Sequence, residues 1–146
     1  MDSPPRLDAF AIAPVGMAAM IEFELKMRAL SLEPSLCTLI KIRASQLNGC
    51  SYCLGMHERE ALAAGEATSR IDQLSRWREA DLFTDRECAA LTWVDTLTLV
   101  SSARAPDADY EVFAREFTPE EQVEVTLVIC SINSWNRIAI GFRTAS

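Results

Sequence analysis

Hydrophobic positions along this chain recur at helical spacing, and nowhere do they alternate for long with a strand period. Met20, Phe23, Met27 and Leu30 fall at i, i+3, i+7 and i+10, which predicts an amphipathic helix over 15–30. Glu33-Pro34 opens a second helix, with proline in the first turn and Leu39, Ile42 and Leu47 along it. Asn48-Gly49 is a turn dipeptide that stops it. The third helix starts at about Ser51 and ends near Gly65, where glycine takes a left-handed cap without steric cost. A short helix around 69–77 follows. Thr84-Asp85-Arg86-Glu87 has the form of a capping box, and the helix it opens carries Leu91, Val94 and Leu97 to about Ser101. Pro106 breaks a loop over 103–108 ahead of a brief helix around 110–117. Thr118-Pro119-Glu120-Glu121 is another start signal: a threonine cap, proline at the first helical position and two acids at the positive end of the dipole. The last helix, to about Phe142, is apolar on nearly every side from Val123 to Ile132. Such a helix is expected to be buried all round, in the core or at a subunit interface.

No linker, repeat or low-complexity run divides the chain. The pattern predicts one all-α domain of about six to seven helices over 15–146, preceded by an apolar arm over 1–14. At 146 residues the chain can bury roughly 70% of the surface its unfolded form exposes. The net charge of −7 excludes nucleic acid and anionic membrane surfaces as main partners. Phe10 to Ile21 is apolar, but Pro14 interrupts it and Asp2 and Asp8 flank Arg6, so a basic leader region is missing. No stretch reads as the roughly 20 apolar residues that span a bilayer. The expectation is a soluble, cytoplasmic protein.

The chemistry concentrates in nine residues, Gly49-Cys50-Ser51-Tyr52-Cys53-Leu54-Gly55-Met56-His57, which hold two of the five cysteines and the single histidine. On a helix, Cys50, Cys53 and His57 lie at about 0°, −60° and −20° around the axis and form one stripe. Two thiols that can close a disulfide, beside a base that can take a proton from one, make a redox site. The dipole at the helix start favours Cys50 as the thiolate, and the i, i+4 base favours Cys53. A structural zinc would need a fourth ligand from Cys37, Cys88 or Cys130, which sit in apolar helical surroundings and are expected to be core fillers. Haem attachment needs histidine directly after the second cysteine, where Leu54 stands. The pattern therefore calls for no metal and no cofactor. Trp77, Trp93 and Trp135 are expected as packing anchors, as are Met17, Met20 and Met27. Arg43, Gln46 and Asn48 are candidates to line the site, because the turn at Asn48-Gly49 folds their helix back onto the thiols.

The run Leu39-Ile40-Lys41-Ile42-Arg43-Ala44-Ser45-Gln46-Leu47-Asn48-Gly49-Cys50-Ser51-Tyr52-Cys53, followed by His57, resembles the alkylhydroperoxidase D-like (AhpD-like) branch of the carboxymuconolactone decarboxylase superfamily. Residues 74–79, 83–87 and 132–137 resemble the same branch, so the likeness extends over about 30–142. It implies an all-helical fold assembled as a homo-oligomer, trimer or hexamer. It implies thiol-dependent reduction of an organic hydroperoxide with a dithiol electron donor, or service as a disulfide-reducing adaptor for a peroxiredoxin partner. Carried over, Cys53 is the peroxidatic residue, Cys50 the resolving one and His57 part of a proton relay. That relay usually begins with a glutamate twelve residues before the first cysteine, and Thr38 stands there instead. A hydroxyl can orient the ring but cannot stabilise its charged form as a carboxylate does. By helical geometry Glu58 and Glu60 are expected to point off the stripe, which leaves the relay to be completed by another group. The decarboxylase branch lacks the cysteine pair, so decarboxylation is not expected.

Overall fold

The computed structural model describes residues 3–145. Among them are nine α-helical segments and no strand: α1 (Ala9–Ile12), α2 (Pro14–Arg28), α3 (Pro34–Asn48), α4 (Ser51–Ala63), α5 (Thr68–Gln73), α6 (Asp85–Thr98), α7 (Val100–Ala103), α8 (Asp107–Glu116) and α9 (Pro119–Phe142), with a 3-10 turn at Leu74–Arg76. Seven of these run six residues or more; α1 and α7 are single turns. The helix expected from Thr84 to about Ser101 is cut short because Leu99, at φ −96° and ψ 32°, leaves helical geometry, and α7 continues after it.

Start signals act locally. Thr84 and Thr118 each accept from the backbone N–H three residues on, while Glu87 and Glu121 reach back to the cap N–H. Two such capping boxes satisfy amides that would otherwise be unpaired at the helix starts. Gly49 takes φ 68°, so the Cys50 N–H turns back to Ser45 O at 3.0 Å as α3 ends. That one left-handed residue delivers Cys50 directly to the start of α4.

The core forms around α3, which packs on α4, α6 and α9. Ile40, Val94, Val125, Val128 and Ile129 meet the stacked rings of Trp93 and Phe113, whose centroids are 5.0 Å apart. A second cluster joins Leu39 and Ile42 of α3 to Ala61, Leu74, Trp77 and Leu91. Met17, Met27, Trp77 and Trp93 are buried as expected. The apolar last helix is partly buried within the chain: Val128, Ile129 and Ile132 face the core, whereas Val123 is 60% exposed. Two expectations are corrected. Cys130 sits on the same uncovered side and is exposed, not a core filler; Cys37 and Cys88 are half-buried. The helix Pro119–Phe142 is also long and apolar enough to cross a membrane by length and composition, contrary to the reading of the sequence. Within the fold it carries much of the core, packed on α2, α3 and α6.

The N-terminal arm crosses the end of α9. Arg6 donates its backbone N–H to Phe142 O (2.9 Å) and its guanidinium to Gly141 O (3.0 Å), and the Phe10 ring stacks on Trp135.

Candidate active site

Cys50 is the N-cap of α4, with its Sγ accepting the Cys53 N–H at 3.4 Å. One turn on, the Cys53 Sγ lies 2.6 Å from the Cys50 Sγ, and one thiol donates to the other. Both residues are buried, against Ala139 of α9 and Tyr52. The Cys50 thiol is lowered from 9.0 to about 7, first because Cys53 donates to it, with the Cys53 N–H and the Asn136 amide adding to the effect against burial. The Cys53 thiol is pushed up, as the donor to Cys50 and by burial. At pH 7 the pair is therefore about half ionised, and the charge, where present, rests on the sulfur at the helix start.

His57 is 3% exposed, and its Nδ1 lies 2.8 Å from Glu60 Oε2. Burial pushes its pKa down, and Glu60 recovers only part of that. The ring is thus neutral near pH 7, with Nδ1–H donating to the carboxylate and Nε2 left as the acceptor. Glu60 corrects the expectation from helical angles: three residues on from His57, its side chain is long enough to reach back to the ring. Among the described residues no hydrogen bond joins His57 to either sulfur. Instead His57 and Cys53 border one cavity of about 260 Å³, walled by Phe10, Met56, Trp135 and Ile138. Cys50 opens onto a different cavity of about 480 Å³, bordered by Pro5, Ser51, Ile140 and Arg143. Each sulfur thus has its own approach, apolar for Cys53 and more polar for Cys50.

The remaining candidates divide. Thr38 donates to Pro34 O within its own helix (3.0 Å) and borders a separate cavity with Cys37, Lys41 and Glu60. Arg43 is engaged with Asp95 at 2.7 and 3.2 Å and with Ser75 O, away from the thiols. Gln46 borders neither thiol cavity, and its buried Oε1 has no partner. Asn48 acts at one remove, donating to Asn133 Oδ1 (3.0 Å) and Asn136 Oδ1 (2.9 Å). Asn136, fully buried, donates to Ser45 Oγ (3.1 Å), and its amide favours the thiolate of both cysteines. The sequence reading did not single out Asn136 as a site residue, although it lies in the stretch 132–137 that carried the resemblance. Trp135 is half-buried and lines the apolar cavity. Among the described residues no group of three or more His, Cys, Asp or Glu side chains is arranged to hold a metal ion.

The carboxymuconolactone decarboxylase family model matches residues 14–96, the stretch from α2 through the thiol helix into α6. This chain belongs to that family. It is an AhpD-like member: it is similar, at 37% identity over 97% of each chain and a TM-score of 0.95, to a crystal structure from Agrobacterium tumefaciens of a protein of unknown function described as a candidate antioxidant-defence protein AhpD. It is 41% identical over 143 residues, 97% of each chain, to the uncharacterized protein YdfG of Bacillus subtilis (strain 168). The debrominase Bmp8 shares the fold at a TM-score of 0.82 and 19% identity, over 90% of this chain and 71% of that one.

Proposed function

We propose that the protein is a thiol peroxidase that reduces apolar organic hydroperoxides through Cys50 and Cys53. The observation that carries this reading is the pair of sulfurs 2.6 Å apart, one of them opening with His57 onto an apolar cavity. A hydroperoxide enters that cavity, and the Cys53 proton moves to His57 Nε2, leaving the thiolate hydrogen-bonded by the Cys50 S–H and steadied by the imidazolium. The step starts from the form in which both thiols are protonated, about half of the protein at pH 7 with Cys50 lowered to about 7, so that Cys50 keeps its proton while Cys53 gives its own to His57. Cys53 Sγ attacks the terminal peroxide oxygen, the O–O bond breaks, and His57 returns its proton to the departing alkoxide. The products are Cys53 sulfenic acid and an alcohol. Cys50 then attacks the Cys53 sulfur, and its thiol proton leaves with the displaced hydroxyl as water. A dithiol donor reduces the disulfide by exchange, with Cys50 the sulfur it reaches through the polar cavity. Asn136 and Asn48 fix the thiol pair from α9 and α3. No metal or cofactor takes part in these steps, and a reducing cytoplasm working on a homo-oligomer is the setting they suit.

The lowered Cys50 thiol and its polar cavity favour a second reading, a disulfide-exchange adaptor for a peroxiredoxin that barely turns over peroxide itself. One equivalent of cumene hydroperoxide, with dimedone present, separates the two. The peroxidase reading expects Cys50→Ser to be labelled at Cys53 and Cys53→Ser to consume no peroxide. No label in Cys50→Ser, with intact disulfide exchange in the unaltered protein, would replace the peroxidase by the adaptor.

A further inference from the structure

The apolar cavity has one charged wall that the steps above do not use. Glu24 of α2 borders it, 15% exposed at the side chain. Its Oε1 lies 2.5 Å from Lys41 Nζ of α3 and 3.3 Å from Arg28 Nε, and its Oε2 accepts from Ser131 Oγ of α9 at 3.0 Å. Lys41 is only 10% exposed at its side chain, an unusual place for an ammonium group. Against the cost of burial, Lys41, Ser131 and Arg28 hold the Glu24 carboxyl below its ordinary value, so it stays charged. A buried ion pair contributes little net stability compared with apolar residues of the same volume, so fold stability alone is a weak reason for it.

The surroundings of His57 supply a stronger one. Charged groups face it from three helices: Glu24 and Arg28 from α2, Lys41 from α3, and Glu60 and the thiol of Cys53 from α4. From α9 and the arm it meets Trp135, Ile138, Ala139 and Phe10, none of which titrates. Lys41 opposes a positive charge on the ring, and Glu24 and Glu60 favour one. Two cations and two anions balance. Without Glu24, Glu60 alone would face two cations and a ring that must become a third.

We propose that Glu24 is a positioning residue for His57: clamped by Lys41, Arg28 and Ser131, it cancels the neighbouring cations and so lets the imidazole accept the Cys53 proton. This rests on the peroxidase reading, but its test uses no peroxide, so the two can fail separately. In full-length Cys50→Ser protein, iodoacetamide alkylation of Cys53 is followed against pH by peptide mass spectrometry, with the melting temperature recorded alongside. Glu24→Gln should slow alkylation at pH 7 by ~3- to 10-fold and move the midpoint upward. Glu24→Gln with Lys41→Met should return the rate to within about twofold of the parent, because the cation and its canceller leave together. Arg28→Gln, at a half-exposed position where folding is not at stake, should raise the rate by about two- to threefold. A rate unchanged by Glu24→Gln while the melting temperature falls would make the pair a structural tie and overturn the proposal. So would a double variant as slow as the single one. Should Glu24→Gln not fold, an Arg28→Gln rate at or below the parent's overturns it equally.

Discussion

Removing the Cys53 thiol should cost Cys50 most of its acidity. In the reduced protein Cys50 is lowered from 9.0 to about 7, with hydrogen-bond donation from Cys53 as the leading cause and the helix-start N–H and Asn136 as lesser ones. That difference corresponds to about 2–3 kcal/mol of preference for the thiolate. Cys53→Ala deletes the main donor but keeps the backbone N–H and the Asn136 amide, which roughly offset burial, so the Cys50 midpoint should return to about 8.5, the ordinary value of a thiol. At pH 7 the thiolate fraction drops from about one half to about 3%, which is a roughly 15-fold slower reaction with iodoacetamide. Absorbance at 240 nm against pH, together with alkylation read at the Cys50 peptide, measures both quantities. Linkage adds a second reading. A thiol whose folded pKa lies below its unfolded one adds stability at alkaline pH, so the reduced wild type should gain stability as pH rises from about 7 to about 9, and Cys53→Ala should lose most of that slope. A wild-type Cys50 midpoint above about 8.5, or one that Cys53→Ala leaves in place, would refute the reasoning.

His57→Ala should lower peroxide reduction by about 10²–10⁴ in steady-state assays with a dithiol donor, the usual scale of acid–base help, while leaving the melting temperature within a few degrees. Because burial lowers the His57 pKa, the folded protein should lose stability as pH falls through about 6.5, where the unfolded ring begins to take a proton; urea titrations of wild type and His57→Gln should differ in that window alone. Asn136→Ala strands Asn48 and Ser45 in the interior, and chemical denaturation should show a loss of about 2–3 kcal/mol along with a higher Cys50 midpoint. Gly49→Ala forces a side chain to φ 68° at the turn that delivers Cys50, and should cost about 1 kcal/mol in the same experiment.

Local signals made most of the fold legible. Thr84, Thr118, Pro34, Gly49 and Gly65 mark helix ends by chemistry that acts within a few residues, and each marks one here. The thiol stripe was legible for the same reason, since Cys50, Cys53 and His57 lie within eight positions of one another. Long-range partners were not. Asn48 meets Asn136 across 88 positions, and Glu24 meets Ser131 across 107, and no periodicity encodes either meeting. Glu60 was misplaced because angle around an axis ignores side-chain reach. Thr38 takes the relay position by its place in the motif, yet its hydroxyl is engaged by its own helix. Cys130 shows the limit of composition: an apolar neighbourhood in sequence says nothing about which side of α9 is covered.

The account stands on Cys50 and Cys53 acting as one two-electron unit. Fully reduced protein should be treated with a single equivalent of cumene hydroperoxide, and its free thiols counted and its peptides mapped. Two thiols should disappear together, with Cys50 linked to Cys53, the mass lower by two hydrogens and one equivalent of alcohol formed. Loss of a single thiol to a stable oxygen adduct, or a linkage through Cys37, Cys88 or Cys130, would contradict it.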